Sequence, residues 1–264
     1  IRDSVASRGL GDVYKRQVKG IPLTLEVVII STILGFFLAI LVALMRISKK
    51  GYLNKTAYYF VYAVRGTPLL LQIFFIYYGL AQFSFIQDSF LWIVLKDPFW
   101  CAIIALTLNT CAYSSEIIRG GIQSVSKGYL EAGSALGMGR ILSFRIIMLP
   151  LAIRQALPAY GNELILMVKA SSLVSTVTLM EITGIARKII SQTFAPIEIF
   201  LVAGSIYLLI NFLITRGIKA AEKNVRGGRH HRGDRGDHSA TRHARGEPRE
   251  TFSRALRKHR SQYT

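Results

Sequence analysis

The chain has 264 residues, 51% of them hydrophobic, and a mean hydropathy of +0.37. That balance excludes an ordinary soluble domain and indicates a polytopic membrane protein. The formal net charge is +18, but residues 224–264 alone hold eleven Lys/Arg against four Asp/Glu, together with all five histidines. The apolar body therefore has no histidine for catalysis or metal ligation, and neither a metal nor a cofactor is expected.

Residues 1–17 are polar and show no helical apolar stripe. They are expected to lie outside the fold, either as non-native sequence (GDVYKRQ is similar to translated adaptor) or as a disordered extracellular segment. The first span is predicted over residues 21–45, close to the ~20 residues needed to cross the hydrocarbon core. Arg46, Lys49, Lys50 and Lys55 follow it.

A second span is predicted over residues 57–83. It contains Arg65-Gly66-Thr67-Pro68, where the proline removes a donor and a break is expected. Backbone freed at membrane depth is tolerated only against protein or a wet cavity. Arg65 inside a span implies the same, unless it snorkels to the cytoplasmic edge. Residues 84–98 read as a connector, with a short interfacial helix over 90–95.

The third span is predicted over residues 99–118. Cys101 and Cys111 lie ten positions apart on it, about 15 Å of rise, which is beyond disulfide reach; both read as small buried residues. Asn109, Tyr113 and Glu116 recur at i, i+4 and i+7 and so share a face. A polar stripe in a span turns towards other helices or a pathway. Glu116 also has Arg119 three residues on, and a local pair is its preferred reading.

Residues 128–150, GYLEAGSALGMGRILSFRIIMLP, form a partly polar connector. A helix is predicted over 129–136, with Gly128 as N-cap and Glu131 in the first turn. Gly137 and Gly139 make a corner. A second helix over 140–149 should end before Pro150.

The fourth span is predicted over residues 157–182, with Pro158 in its first turn and Glu163 soon after. Lys169, Ser171 and Ser172 then fall at mid-depth. Residues 187–196 read as a polar connector, and the fifth span over 197–214. The permease domain as a whole is drawn over 18–223. The tail over 224–264 lacks apolar periodicity and reads as disordered, either a segment for anionic lipid or a reading-frame artefact. It contains no nucleic-acid-binding module.

Glu131-Ala132, Gly137 and the late Ile147-Met148-Leu149-Pro150 together resemble the EAA loop of membrane subunits of bacterial ABC importers. YAVRGTPLLLQIFFIYYGL is similar to that family's second conserved segment. IALTLNTCAYSSEI and LPLAIRQALPAYGNELILM look most like the M-type permease subunit of histidine/lysine/arginine/ornithine importers and their opine-uptake relatives. The resemblance covers residues 20–222. It implies an all-α fold of about five transmembrane helices with a cytoplasmic helix-turn-helix. It also implies a second permease chain, two ABC ATPase subunits, an extracytoplasmic solute-binding protein and an amino-acid substrate. The loop residues Glu131, Ala132, Leu136, Gly137, Met138, Gly139 and Arg140 would couple to the ATPase. The usual acidic residue after Lys169 is here Ala170, a departure from the family pattern; Tyr129, Gly133 and Gly139 are others.

Lys/Arg counts in the connectors place the N-terminus outside, and the loop and C-terminus in the cytoplasm. There is no G-x-x-x-x-G-K-[ST], so the chain cannot cradle nucleotide phosphates in such a loop. It is not expected to be an enzyme. The expected function is a permease subunit in a bacterial inner membrane, importing polar, basic amino acids. Arg65, Thr67, Asn109, Tyr113, Glu163, Lys169, Ser171 and Ser172 are the candidate pathway residues. The alternative is an ion-gradient-driven secondary transporter, which should show inverted repeats; none is visible.

Overall fold

Helices joined by short connections account for residues 9–226, the part of the chain that the computed structural model describes. In chain order they are α1 (Gly9–Val18), α2 (Ile21–Ile47), α3 (Gly51–Gly66), α4 (Leu69–Phe74), α5 (Ser84–Gln87), α6 (Trp92–Leu95) and α7 (Pro98–Gln123). Then follow α8 (Lys127–Ala135), α9 (Arg140–Ser143), α10 (Leu149–Ala170), α11 (Ile182–Thr193) and α12 (Pro196–Arg226). A π-turn (Phe75–Gly79) and a 3₁₀ turn (Leu80–Gln82) extend α4, and a 3₁₀ stretch (Ser171–Val177) extends α10. No strand occurs among the described residues.

Among the described residues, four helices are long and apolar enough to cross a membrane: Val13–Ile47, Pro98–Gln123, Arg140–Val177 and Pro196–Asn224. The pair Gly51–Gly66 and Leu69–Gln82, bent by 103° at its break, makes a fifth when counted as one broken span. The all-α architecture with about five spans is as the sequence implies.

The centre of the molecule is α2 against α7. Ser31, Gly35, Ala39 and Ala43 recur every four residues along α2, and all are buried. α7 packs against this stripe: Ser31 Oγ donates to the Ile103 carbonyl at 3.5 Å, and a Cβ on Gly35 would come within 2.7 Å of Thr110 Cβ. Small side chains let two membrane helices approach closely, so that van der Waals contact holds them where lipid offers no hydrophobic drive. Cys101 and Cys111 are free and buried.

Several boundaries differ from expectation. Residues 9–17 are not outside the fold: α1 packs on α11, Val13 and Gln17 are buried, and Gln17 Nε2 donates to the Ile199 carbonyl at 3.0 Å. A polar residue can hold such a place because its amide is hydrogen-bonded, and hydropathy alone does not register that. Pro150 does not end a helix. A π-turn over Phe144–Met148 precedes it and α10 begins at Leu149, so the proline falls in a first turn where its missing donor is harmless. Pro158, expected near a helix start, instead lies inside α10. The fourth span therefore begins earlier than residue 157 and ends at Thr178, which adopts a left-handed φ of 69°. The connector expected over 187–196 is mostly the amphipathic α11. The helix of the fifth span, α12, extends from Pro196 through Arg226. The expected tail over 224–264 lies, beyond Arg226, outside the described residues.

Candidate translocation cavity and coupling loop

The break between α3 and α4 is where the cavity forms. Pro68 is extended, with φ −60° and ψ 132°, and leaves the last carbonyls of α3 without helical donors. Gln72, one turn further on, supplies them: its Nε2 donates to Val64 O at 2.7 Å, to Thr67 O at 3.0 Å and to Thr67 Oγ1 at 2.9 Å. Thr67 Oγ1 in turn donates to Ala63 O at 2.9 Å. Sequence reasoning missed Gln72. The signal was a lone amide in an apolar run, one turn after a proline.

This break opens onto a cavity of about 560 Å³ that Arg65, Thr67, Asn109, Tyr113 and Glu163 line, with Met167, Ala170 and Leu173 as its apolar wall. Five of the eight candidate pathway residues thus converge, from α3, α7 and α10. The Arg65 guanidinium carbon lies 4.9 Å from the Tyr113 ring centroid. Glu163 is buried mid-helix and not near a helix start, and among the described residues it belongs to no ion pair. A buried carboxylate that faces a cavity unpaired is costly, and a cation entering the cavity would offset that cost. Ala170, where the family resemblance implies an acidic residue, lies on the same wall.

The other three candidates do not reach this cavity. Lys169 lines a separate groove with Tyr207, Asn211 and Thr215 of α12. Ser171 is buried and donates to Val168 O at 2.7 Å; Ser172 donates to Lys169 O at 2.7 Å. Serines commonly return their hydroxyl to the preceding turn in this way. The 3₁₀ winding after Ala170 rotates them off the face that spacing at 3.6 residues would assign. Glu116 also leaves the cavity: it pairs with Arg119 at 2.6 Å, as its spacing suggested, and additionally with Arg46 of α2 at 3.1 Å.

At the other end of α7, α8 runs from Lys127, one residue before the expected Gly128 cap, so Glu131 lies past its first turn. The corner is a Schellman closure. Met138 N donates to Gly133 O and Gly137 N to Ser134 O, both at 3.0 Å, and Gly137 has a φ of 78°. That left-handed conformation suits glycine and strains any residue with a Cβ. Gly133 answers to a neighbour in its own chain: a Cβ there would come within 2.8 Å of Ile147 Cδ1. The corner presents Leu136 at 82% and Ile141 at 78% exposure. Both are large apolar side chains left uncovered on a partly polar connector.

Residues 31–227 match the family described as binding-protein-dependent transport system inner membrane component. The chain belongs to this family. It is 52% identical to the nopaline transport system permease protein NocM of Agrobacterium fabrum, over 79% of this chain and 87% of that protein. It is 53% identical to the octopine transport system permease protein OccM of Rhizobium radiobacter, over 78% and 84%. To the histidine/lysine/arginine/ornithine transport system permease protein HisM of Escherichia coli K12 it is 38% identical, over 77% and 86%. Its fold superposes on a chain from a crystal structure of an amino acid ABC transporter with histidines, with a TM-score of 0.72 and 32% identity over 80% of this chain and 94% of that one. A MetNI methionine ABC transporter chain shares the fold, with a TM-score of 0.66. This chain is accordingly a membrane-embedded permease subunit of an ABC importer, which works with ATPase subunits and a solute-binding protein. The gradient-driven alternative is not favoured.

Proposed function

We propose that this permease subunit imports polar amino acids with a cationic side chain, or amino-acid derivatives that keep one, and that the cavity between α3, α7 and α10 is its binding station. The observation that carries the reading is the unpaired, buried Glu163 facing a cavity that Arg65 also enters. A substrate with a carboxylate at one end and a guanidinium or ammonium at the other complements that pair of charges. The names of the opine, arginine and HisM relatives agree with such a substrate class.

ATP hydrolysis belongs to a separate subunit, reached through Glu131, Ala132, Leu136, Gly137, Met138, Gly139 and Arg140. Connector charges support an orientation with the N-terminus outside and the α8–α9 corner in the cytoplasm. The test is Glu163→Gln in the assembled importer. Arginine uptake should fall about tenfold or more, in line with loss of a charge-assisted hydrogen bond, while a neutral amino acid is affected less. Equal loss for both would assign Glu163 to packing of α10.

A further inference from the structure

Tyr58, Tyr62 and Arg65 stand at i, i+4 and i+7 on α3, on one face of the helix. Tyr58 is 45% exposed and Tyr62 is 68% exposed, and their rings stack at 6.1 Å with 20° between planes. The stripe ends at Arg65, at the cavity mouth, about 10 Å of helical rise from Tyr58. At both ends a guanidinium already lies on a tyrosine ring: Arg46 at 5.0 Å from the Tyr58 centroid and Arg65 at 4.9 Å from that of Tyr113. Both arginines are placed by other contacts. Arg46 is held by Glu116 at 3.1 Å and by Asn54 Oδ1 at 2.8 Å, and Arg65 ends α3 at the break. Among the described residues no cation lies over Tyr62.

From this arrangement we infer that the Tyr58–Tyr62 stripe of α3 is an exit path for cationic substrates, with the Tyr62 ring as an open station between the cavity and the cytoplasmic end of the helix. The inference rests on the cavity being the substrate station and on the orientation proposed above. A ring face attracts a guanidinium through its quadrupole without a formal opposite charge. A substrate leaving Glu163 could therefore step along such faces without being trapped, as it would be by a carboxylate. Arg46 and Arg65 flank the stripe and discourage a cation from resting at either end.

The test measures ATP-driven uptake of arginine and of its uncharged isostere citrulline in proteoliposomes. They hold this chain assembled with its partner permease, ATPase and solute-binding protein. Tyr62→Leu should lower arginine uptake about fivefold or more while changing citrulline uptake less than twofold, and Tyr62→Phe, which keeps the ring, should transport arginine like the wild type. Equal loss of arginine and citrulline in Tyr62→Leu, or Tyr62→Phe as impaired as Tyr62→Leu, would overturn the inference and assign the stripe to lipid headgroups or to the partner chain. So would a wild-type importer that hydrolyses ATP with another substrate but carries no arginine. Absence of ATP-driven uptake of any amino acid by the wild type would instead refute the importer reading on which the inference rests.

Discussion

Arg65 of α3 lies over the ring of Tyr113 of α7, with 4.9 Å between guanidinium carbon and centroid, at the point where Pro68 interrupts the second span. The contact ties the broken helix to the central one. It also fixes where the positive charge enters the cavity that Glu163 faces from α10. Tyr113→Leu should release the guanidinium, a loss of about 1 kcal/mol at a site of this exposure, and lower substrate-stimulated uptake about fivefold. Tyr113→Phe retains the ring and should stay within twofold of the wild type. Initial uptake rates in proteoliposomes decide between the two.

A second polar centre holds the far end of the bundle. Glu181 is fully buried. Its Oε1 accepts from Gly184 N at 2.8 Å and caps α11, and its Oε2 accepts from the Tyr207 hydroxyl of α12 at 2.6 Å. Burial pushes its carboxyl above the usual range, against the opposing pull of the Tyr207 and backbone hydrogen bonds. A carboxyl raised in the folded state binds its proton more tightly there than in the unfolded chain. Its stabilising contribution is therefore complete below the ordinary glutamate pKa of about 4.3 and declines as pH rises through the folded value. Glu181→Gln removes this dependence. The melting temperature of the wild type minus that of Glu181→Gln, in detergent, should fall as pH is raised from about 4 to 8. A constant difference would show that the Glu181 carboxyl titrates alike in the folded and unfolded chain.

Glu116 joins α2 to α7 through Arg46 at 3.1 Å and braces Arg119 at 2.6 Å. All three side chains are largely covered, so Glu116→Ala leaves two guanidinium groups short of an acceptor. The expected destabilisation is about 1–3 kcal/mol, the cost of an unsatisfied partly buried polar group. A lower melting temperature in detergent, with Glu116→Gln intermediate, is the expected result.

The spans, the break at Pro68 and the corner at Gly137 were legible because each rests on local chemistry: apolar length, a missing donor, a positive φ. The convergence of Arg65, Asn109, Tyr113 and Glu163 was legible in part. Asn109 and Tyr113 share a helical face, but which face of α10 meets them depends on packing. Ser171 and Ser172 were misplaced because the helix tightens to 3₁₀ after Ala170 and changes the angular spacing; Lys169, still in regular helix, was misplaced because the packing of α10 on α12 decides which groove its face meets. The burial of Gln17 was not legible, since its partner is a carbonyl 182 residues away. Nor was the continuity of α9 and α10 past Pro150, which depends on one widened turn.

The corner between α8 and α9 carries the sharpest expectation. Gly137 adopts a φ of 78° and nothing lies within 4 Å of the place where its Cβ would be, so a larger residue there meets no clash and is opposed by backbone strain alone. A Cβ in the left-handed region costs about 1–2 kcal/mol, and a β-branched residue is among the least tolerant. Gly137→Val should therefore open the Schellman closure and move Leu136 and Ile141, while leaving the spans inserted. Glu131 is exposed on α8, so Glu131→Lys should alter only what the loop meets. Both variants should reach the membrane in normal amount yet lose co-purification with the ATPase subunit and substrate-stimulated ATP hydrolysis, by about tenfold if one to two kcal/mol of contact is lost. Normal co-purification and normal stimulation in both would remove the loop from the coupling path and leave its exposed leucine and isoleucine to some other contact.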